Sequence, residues 1–286
     1  MNLFIVHHLD LLMTYFGFLA RFVGTPIIIL LILAWQDKKR GIGFPKRFNS
    51  YSPWLVLLLH IAIAVVYTTP WDNYLVATRV WWYDPSLVTG IVIGWVPIEE
   101  YTFFIAQTIM TGLWLLFWMR RTRPSSFILH PSPFKESSRL RLIVTGITAV
   151  FWAMMVGILI LGWQPGTYLA LELSWALIPI MIQLAFGCDI LWHYRRLVLL
   201  GIIPPTLYLS FADVLAINSG TWTIDPAQSL NIFIGSLPVE ELIFFLLTNT
   251  LLMFGMTLAL AAESQPRLQH FKAMITGKSD PQRAVG

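Results

Sequence analysis

Two pairs of adjacent glutamates interrupt otherwise apolar sequence: Glu99 and Glu100 in VPIEEYTFF, and Glu240 and Glu241 in LPVEELIFF. A carboxyl group withdrawn from water favours its neutral form, because desolvation penalises the charge. A proton held at neutral pH is what a general acid needs. Carboxylates at membrane depth are functional candidates for the same reason. On a helix, Glu99 shares a face with Phe103 and lies near Gln107, and Glu100 shares a face with Phe104 and Thr111. Successive residues point about 100° apart, so one Glu of each pair at most faces any one point. Phe103, Phe104, Phe244 and Phe245, with Trp95 just ahead of the first motif, would offer π-faces to a carbocation.

Each of these residues also has a plainer reading. Proline suits the first turn of a helix, and carboxylates there are favoured by the helix dipole, so the glutamates could be surface caps. The phenylalanines could be ordinary core or lipid-facing packing. Arg21 lies about ten residues into the first apolar run, ~15 Å deep by helical rise. It is expected to face the bundle and pair with a carboxylate. The alternative is snorkelling to the headgroups. Asp72 and Asp213 occupy equivalent positions after two apolar runs and read first as loop residues, second as members of the site. His7, His8, His60 and His193 lack metal-ligand spacing, and no metal site is expected. The single Cys188 excludes an intrachain disulfide and any cysteine cluster.

The elements that must position these groups are membrane helices. Of the 286 residues, 57% are hydrophobic and 12% charged, too few charges for a soluble surface. Several runs reach the ~20 residues needed to cross the hydrocarbon layer. Seven spans are predicted, at roughly 11–35, 54–70, 97–119, 140–162, 168–188, 196–212 and 238–261. Residues 87–119 are too long for one upright crossing, and a break at Gly94–Pro97 is expected, with 87–94 as a half-helix or interfacial piece. Every Lys and Arg except Arg21 and Arg79 falls on alternate loops or the tail. The positive-inside rule then puts the N-terminus outside and the C-terminus in the cytoplasm. With its basic residues in short loops, the net charge of +4 is no nucleic-acid footprint. The N-terminal run has no positive region ahead of it and reads as a retained first span.

The sequence also repeats. A constant offset of 141 matches Asp72 with Asp213, Trp81 with Trp222, Asp84-Pro85 with Asp225-Pro226, Gly94 with Gly235, Pro97 with Pro238, and the Glu and Phe pairs with each other. Pro26 matches Pro179 once a longer basic loop is allowed for. The predicted fold is therefore all-α and polytopic, with two parallel three-helix repeats (1–119 and 166–262) joined by a linker (120–165) carrying span four. A flexible basic cytoplasmic tail (263–286) follows. Parallel repeats share an axis along the membrane normal, which favours a cavity between the halves.

Tandem three-helix units ending in Pro-x-Glu-Glu-x-x-Phe-Phe resemble the integral-membrane lycopene β-cyclases, over about residues 10–262. The resemblance implies a fused single-chain cyclase, without the phytoene synthase half of the fungal bifunctional proteins. It implies a carotenoid substrate in the bilayer and redox-neutral conversion of lycopene through γ-carotene to β-carotene. A carboxylic acid would protonate C2, the C5–C6 double bond would attack the C1 cation, and a second carboxylate would take the proton from C6. No Gly-x-Gly-x-x-Gly follows a strand, so no nucleotide cofactor is expected. Two rivals stand beside this reading: a proton- or cation-coupled transporter and a carotenoid end-group hydratase. A retinal protein would need a lysine in the last span, and 238–261 has none.

Overall fold

The computed structural model describes residues 13–122 and 133–276. His7, His8, Arg123, Lys278 and Arg283 lie outside them. Seven helices are long and apolar enough to cross a membrane. They are α1 (Tyr15–Lys39), α2 (Pro53–Ala77), α3 (Ile98–Met119), α4 (Ser138–Leu161), α5 (Thr167–His193), α6 (Arg195–Asn218) and α7 (Val239–Leu260). Their outward faces carry exposed Ile, Leu, Val and Trp, as lipid contact demands. The α4 helix packs along α5 and buries only Met155, which suits a connector at the edge. The α3 and α7 helices each pack against α2 and α6 and meet one another across the centre.

The glutamate-bearing ends are built differently from the expectation. Instead of a half-helix over 87–94, the chain turns and forms a short hairpin, β2 (Val92–Ile93) with β3 (Val96–Pro97). The second half does the same with β5 (Phe233–Ile234) and β6 (Leu237–Pro238). Gly94 and Gly235 sit at the tips with φ of +70° and +67°, which glycine adopts at little cost. Ahead of the hairpins, β1 (Trp81–Tyr83) pairs antiparallel with β4 (Trp222–Ile224), tying the two halves together. Side-chain periodicity could not announce ribbons of two or three residues.

Matching hydrogen bonds recur in the two halves. Ile98 N–H donates to Ile91 O at 2.8 Å, and Val239 N–H to Ile232 O at 2.9 Å. Asp84 N–H donates to Thr221 O, and Asp225 N–H to Val80 O. Tyr15 N–H reaches Leu87 O, and Tyr168 N–H reaches Gln228 O, both at 2.9 Å.

At the opposite, basic end, Asp37 of α1 is buried between Arg120 (2.8 Å) and Arg121 (2.9 Å). Part of the tail expected to be flexible is ordered: Gln265–Thr276 forms helix α8. Arg267 anchors it to Asp189 at 2.6 Å, and Phe271 meets Phe186. The Asp189 and Glu136 carboxylates hold the Arg267 guanidinium charged, above its ordinary range.

Candidate active site

Pro97 and Pro238 stand just before α3 and α7, so both glutamate pairs occupy a first helical turn. They are not surface caps. All four are buried, and neither helix has a side-chain cap at its N-terminus. The two members of each pair do different things. Glu99 Oε1 accepts the Thr89 N–H at 2.6 Å, and Glu240 Oε1 accepts the Leu230 N–H at 2.6 Å. These two carboxylates clamp the loops leading to the hairpins. Glu100 and Glu241, turned about 100° away, both face one central cavity.

That cavity holds about 40 Å³ of free space and is walled by aromatic rings, room for only a few waters. Phe103, Phe104, Phe244 and Phe245 all line it. Phe103 meets Phe245 edge-on across the halves at 6.4 Å, and Trp71 stacks on Phe244 at 6.0 Å. Phe104 and Phe244 also line a second, deeper cavity of about 200 Å³. The two cavities therefore lie on either side of these rings.

Tyrosines address the inward glutamates. The Tyr15 hydroxyl donates a short hydrogen bond to Glu100 Oε2, and the Tyr83 hydroxyl donates to the same oxygen at 3.0 Å. The Trp81 indole N–H in turn donates to the Tyr83 oxygen at 3.1 Å. Tyr168 donates to Glu241 Oε1 at 2.7 Å. Desolvation, with the Glu100 carboxyl beside it, pushes the Tyr83 hydroxyl well above the ordinary tyrosine range.

Asp72 and Asp213 are members of the cavity wall and not loop residues. The second and sixth helices run on past Pro70 and through residue 213, carrying both aspartates inside, each 1% exposed. The helix continues through Pro70, and at this level the Tyr67 hydroxyl donates to Trp175 O at 2.9 Å and the Trp71 indole N–H to Leu171 O at 3.2 Å, both on α5. Neither aspartate's oxygens meet a donor at hydrogen-bond geometry among the described residues, although the Trp222 indole lies beside Asp213.

Two expected site residues are elsewhere. Arg21 is exposed, and no ion pair among the described residues includes it. The first helix begins at Tyr15, so Arg21 is only roughly 9 Å from its N-terminal end, within reach of headgroups by snorkelling. It also lies in a π-helical turn, Leu19–Gly24, whose extra residue per turn shifts its bearing. Trp95 is 67% exposed at the hairpin tip, where its N–H bonds Asn73 and its ring is free for the interface. His60 bonds Val56 O, and no His, Cys, Asp or Glu group among the described residues has metal-holding geometry.

Sequence reasoning missed the tyrosines and one carboxyl. Tyr15 and Tyr168 each precede the matched prolines Pro26 and Pro179 by eleven residues, so extending the repeat upstream finds them. Glu172, one turn beyond Tyr168, is fully buried within electrostatic reach of Glu241. Its counterpart in the first half is Leu19, so no repeat could have flagged it.

The lycopene cyclase family model matches residues 22–118 and 165–260. A lycopene beta-cyclase from Halobacterium salinarum is 34% identical over 250 residues, covering 86% of this chain and 95% of that protein. A bifunctional lycopene cyclase/phytoene synthase from Blakeslea trispora is 35% identical over 243 residues, covering 84% of this chain and 39% of that one. Another from Phycomyces blakesleeanus is 36% identical over 199 residues, covering 68% of this chain and 32% of its own length. No solved structure matches. With both halves matched by the family model and a full-length relative at this identity, the chain belongs to the lycopene cyclase family.

Proposed function

We propose that this protein is a lycopene β-cyclase that closes β-ionone rings on the linear ends of a carotenoid held in the bilayer. The observation that carries the reading is one aromatic-walled cavity faced by two buried glutamates from opposite halves of the chain, Glu100 and Glu241. A carboxyl O–H protonates C2 of the end group. The C1 cation draws the C5–C6 π-electrons into a new C1–C6 bond. The resulting C5 cation loses its C6 proton to a carboxylate, restoring the C5–C6 double bond. Protons balance and no electrons are exchanged. The ring faces of Phe103, Phe104, Phe244 and Phe245 stabilise the passing positive charge, and the dry wall keeps water from capturing it.

Both halves contribute to a single site, and the repeated contacts support a pseudo-twofold axis between them. Trp82 pairs with Thr223, its own counterpart, and Gln107 Nε2 donates to Thr248 Oγ1, its own counterpart, at 3.0 Å. Two self-paired positions, one at the outer ribbon and one inside the bundle, fit an axis along the membrane normal. The clustering of basic residues at the far end supports an N-terminus outside and a C-terminus in the cytoplasm. Fusing a periplasm-active reporter to the C-terminus checks this: activity of the fusion reverses the orientation.

The experiment for the activity is expression in a lycopene-accumulating bacterium with chromatography of the pigments. Conversion to γ- and β-carotene is expected. Unchanged lycopene in cells whose membranes contain the protein refutes the proposal, and hydroxylated acyclic carotenoids point to a hydratase instead.

A further inference from the structure

We propose that the two inward glutamates have separate jobs: Glu241 delivers the proton to C2, and Glu100 removes the proton from C6. The inference rests on the cyclase reading above and divides its acid from its base.

The two halves are not chemically equal. Glu100 accepts hydrogen bonds from two phenols, Tyr15 and Tyr83. The counterpart of Tyr83 is Ile224, so Glu241 has the single phenol Tyr168. Hydrogen bonds donated to a carboxylate stabilise its negative charge, and charge-assisted ones do so most. Of the two inward glutamates, Glu100 therefore has the better-supported anion, which is what a base needs. Around Glu241 the asymmetry runs the other way. Glu172 is fully buried nearby where the first half has Leu19, and neither Glu172 oxygen meets a donor at hydrogen-bond geometry, although the Tyr168 hydroxyl lies beside it. Each inward glutamate has a buried aspartate within electrostatic reach, and Glu241 has Glu172 in addition; buried carboxyls so grouped cannot all ionise cheaply, so the extra carboxyl favours a retained proton on the Glu241 side of the cavity. That is the state of an acid.

The division closes the proton cycle. After each ring forms, Glu241 has lost a proton and Glu100 has gained one. Asp213 lies on the cavity wall within electrostatic reach of both, and Asp72 lies beside Glu100. Among the described residues no donor meets either aspartate at hydrogen-bond geometry, although the Trp222 indole lies beside Asp213. These carboxyls offer a path for the proton to return within the shared cavity, without crossing the hydrophobic wall.

The test uses the full-length protein in lipid vesicles containing lycopene, equilibrated in deuterium oxide, with ring formation and the deuterium content of recovered lycopene both measured. Wild type must first form rings; if it does not, the cyclase reading itself fails. Glu241→Gln is expected to lower ring formation by roughly 10²–10⁴-fold and to leave recovered lycopene unlabelled, since no cation forms. Glu100→Gln is expected to lower ring formation over a similar range while recovered lycopene gains deuterium, as the C1 cation forms and reverts by losing a C2 proton. Tyr83→Phe removes a donor from Glu100 and the acceptor of the Trp81 indole while leaving Glu241 its Tyr168, and is expected to give the same labelling with a smaller loss of rate; Tyr168→Phe is not. Label with Glu241→Gln instead, or equal label with both glutamine variants or with neither, overturns the assignment while leaving the cyclase reading standing.

Discussion

Within each Pro-x-Glu-Glu motif the first glutamate holds structure and the second faces the cavity, and the two should separate cleanly in variants. Glu99→Ala and Glu240→Ala each remove the acceptor of a 2.6 Å backbone hydrogen bond. A buried donor left unpaired costs about 1–3 kcal/mol. Thr89 is exposed and Leu230 half-buried, so water can replace the lost acceptor more readily at Thr89. The loss is expected near the lower end for Glu99→Ala and higher for Glu240→Ala. At roughly 2–4 °C of melting temperature per kcal/mol for a chain near this size, the two differ by several degrees. Glu100→Gln and Glu241→Gln leave backbone bonds intact and should melt close to wild type while losing roughly 10²–10⁴ of the cyclisation rate. Thermal unfolding in detergent, read beside pigment conversion, gives both quantities. The division is wrong if Glu99→Ala melts like wild type and is as inactive as Glu100→Gln, or if Glu100→Gln is the variant that unfolds early.

Three further outcomes follow from other parts of the bundle. Asp37→Ala strands Arg120, which is buried against it at 2.8 Å; breaking such a pair costs about 3–5 kcal/mol, so the variant should show a large fall in melting temperature without a change in product identity. Gly94→Ala should destabilise more than Gly235→Ala: both have positive φ, but the new Cβ at 94 would stand 2.1 Å from Asn73 Oδ1, while nothing lies within 4 Å at 235. Their melting temperatures decide it. Tyr83 ionises in the folded protein only above its unfolded value of about 10, so its contribution is complete below that pH and disappears as pH rises past it. Wild type should therefore lose more stability than Tyr83→Phe between pH 8 and 11, measured by melting at each pH; equal losses contradict this.

The helices were legible because lipid imposes a simple code: runs of apolar residues long enough to cross, with basic residues between them. The site was legible in part because the sequence repeats there: the offset that pairs Glu100 with Glu241 also pairs Asp72 with Asp213. What the pattern concealed has physical causes. The ribbons Trp81–Tyr83 and Trp222–Ile224 are too short to show alternation, and they exist because the two halves meet there. Asp72 reads as a loop residue when the apolar span is ended at 70, yet the helix runs on through Pro70 to Ala77. Arg21 looked deep because the first apolar run extends upstream of Tyr15, where the described helix begins. Glu172 breaks the repeat, and only packing reveals that it lies beside Glu241.

The central claim is that a proton reaches the alkene from a carboxyl in the shared cavity. Its most direct test is the double variant Glu100→Gln with Glu241→Gln, expressed in a lycopene-accumulating bacterium at a membrane level matched to wild type. The expected chromatogram contains lycopene alone, with Glu99 and Glu240 untouched and the protein still folded. β-Carotene at the wild-type level would contradict the account.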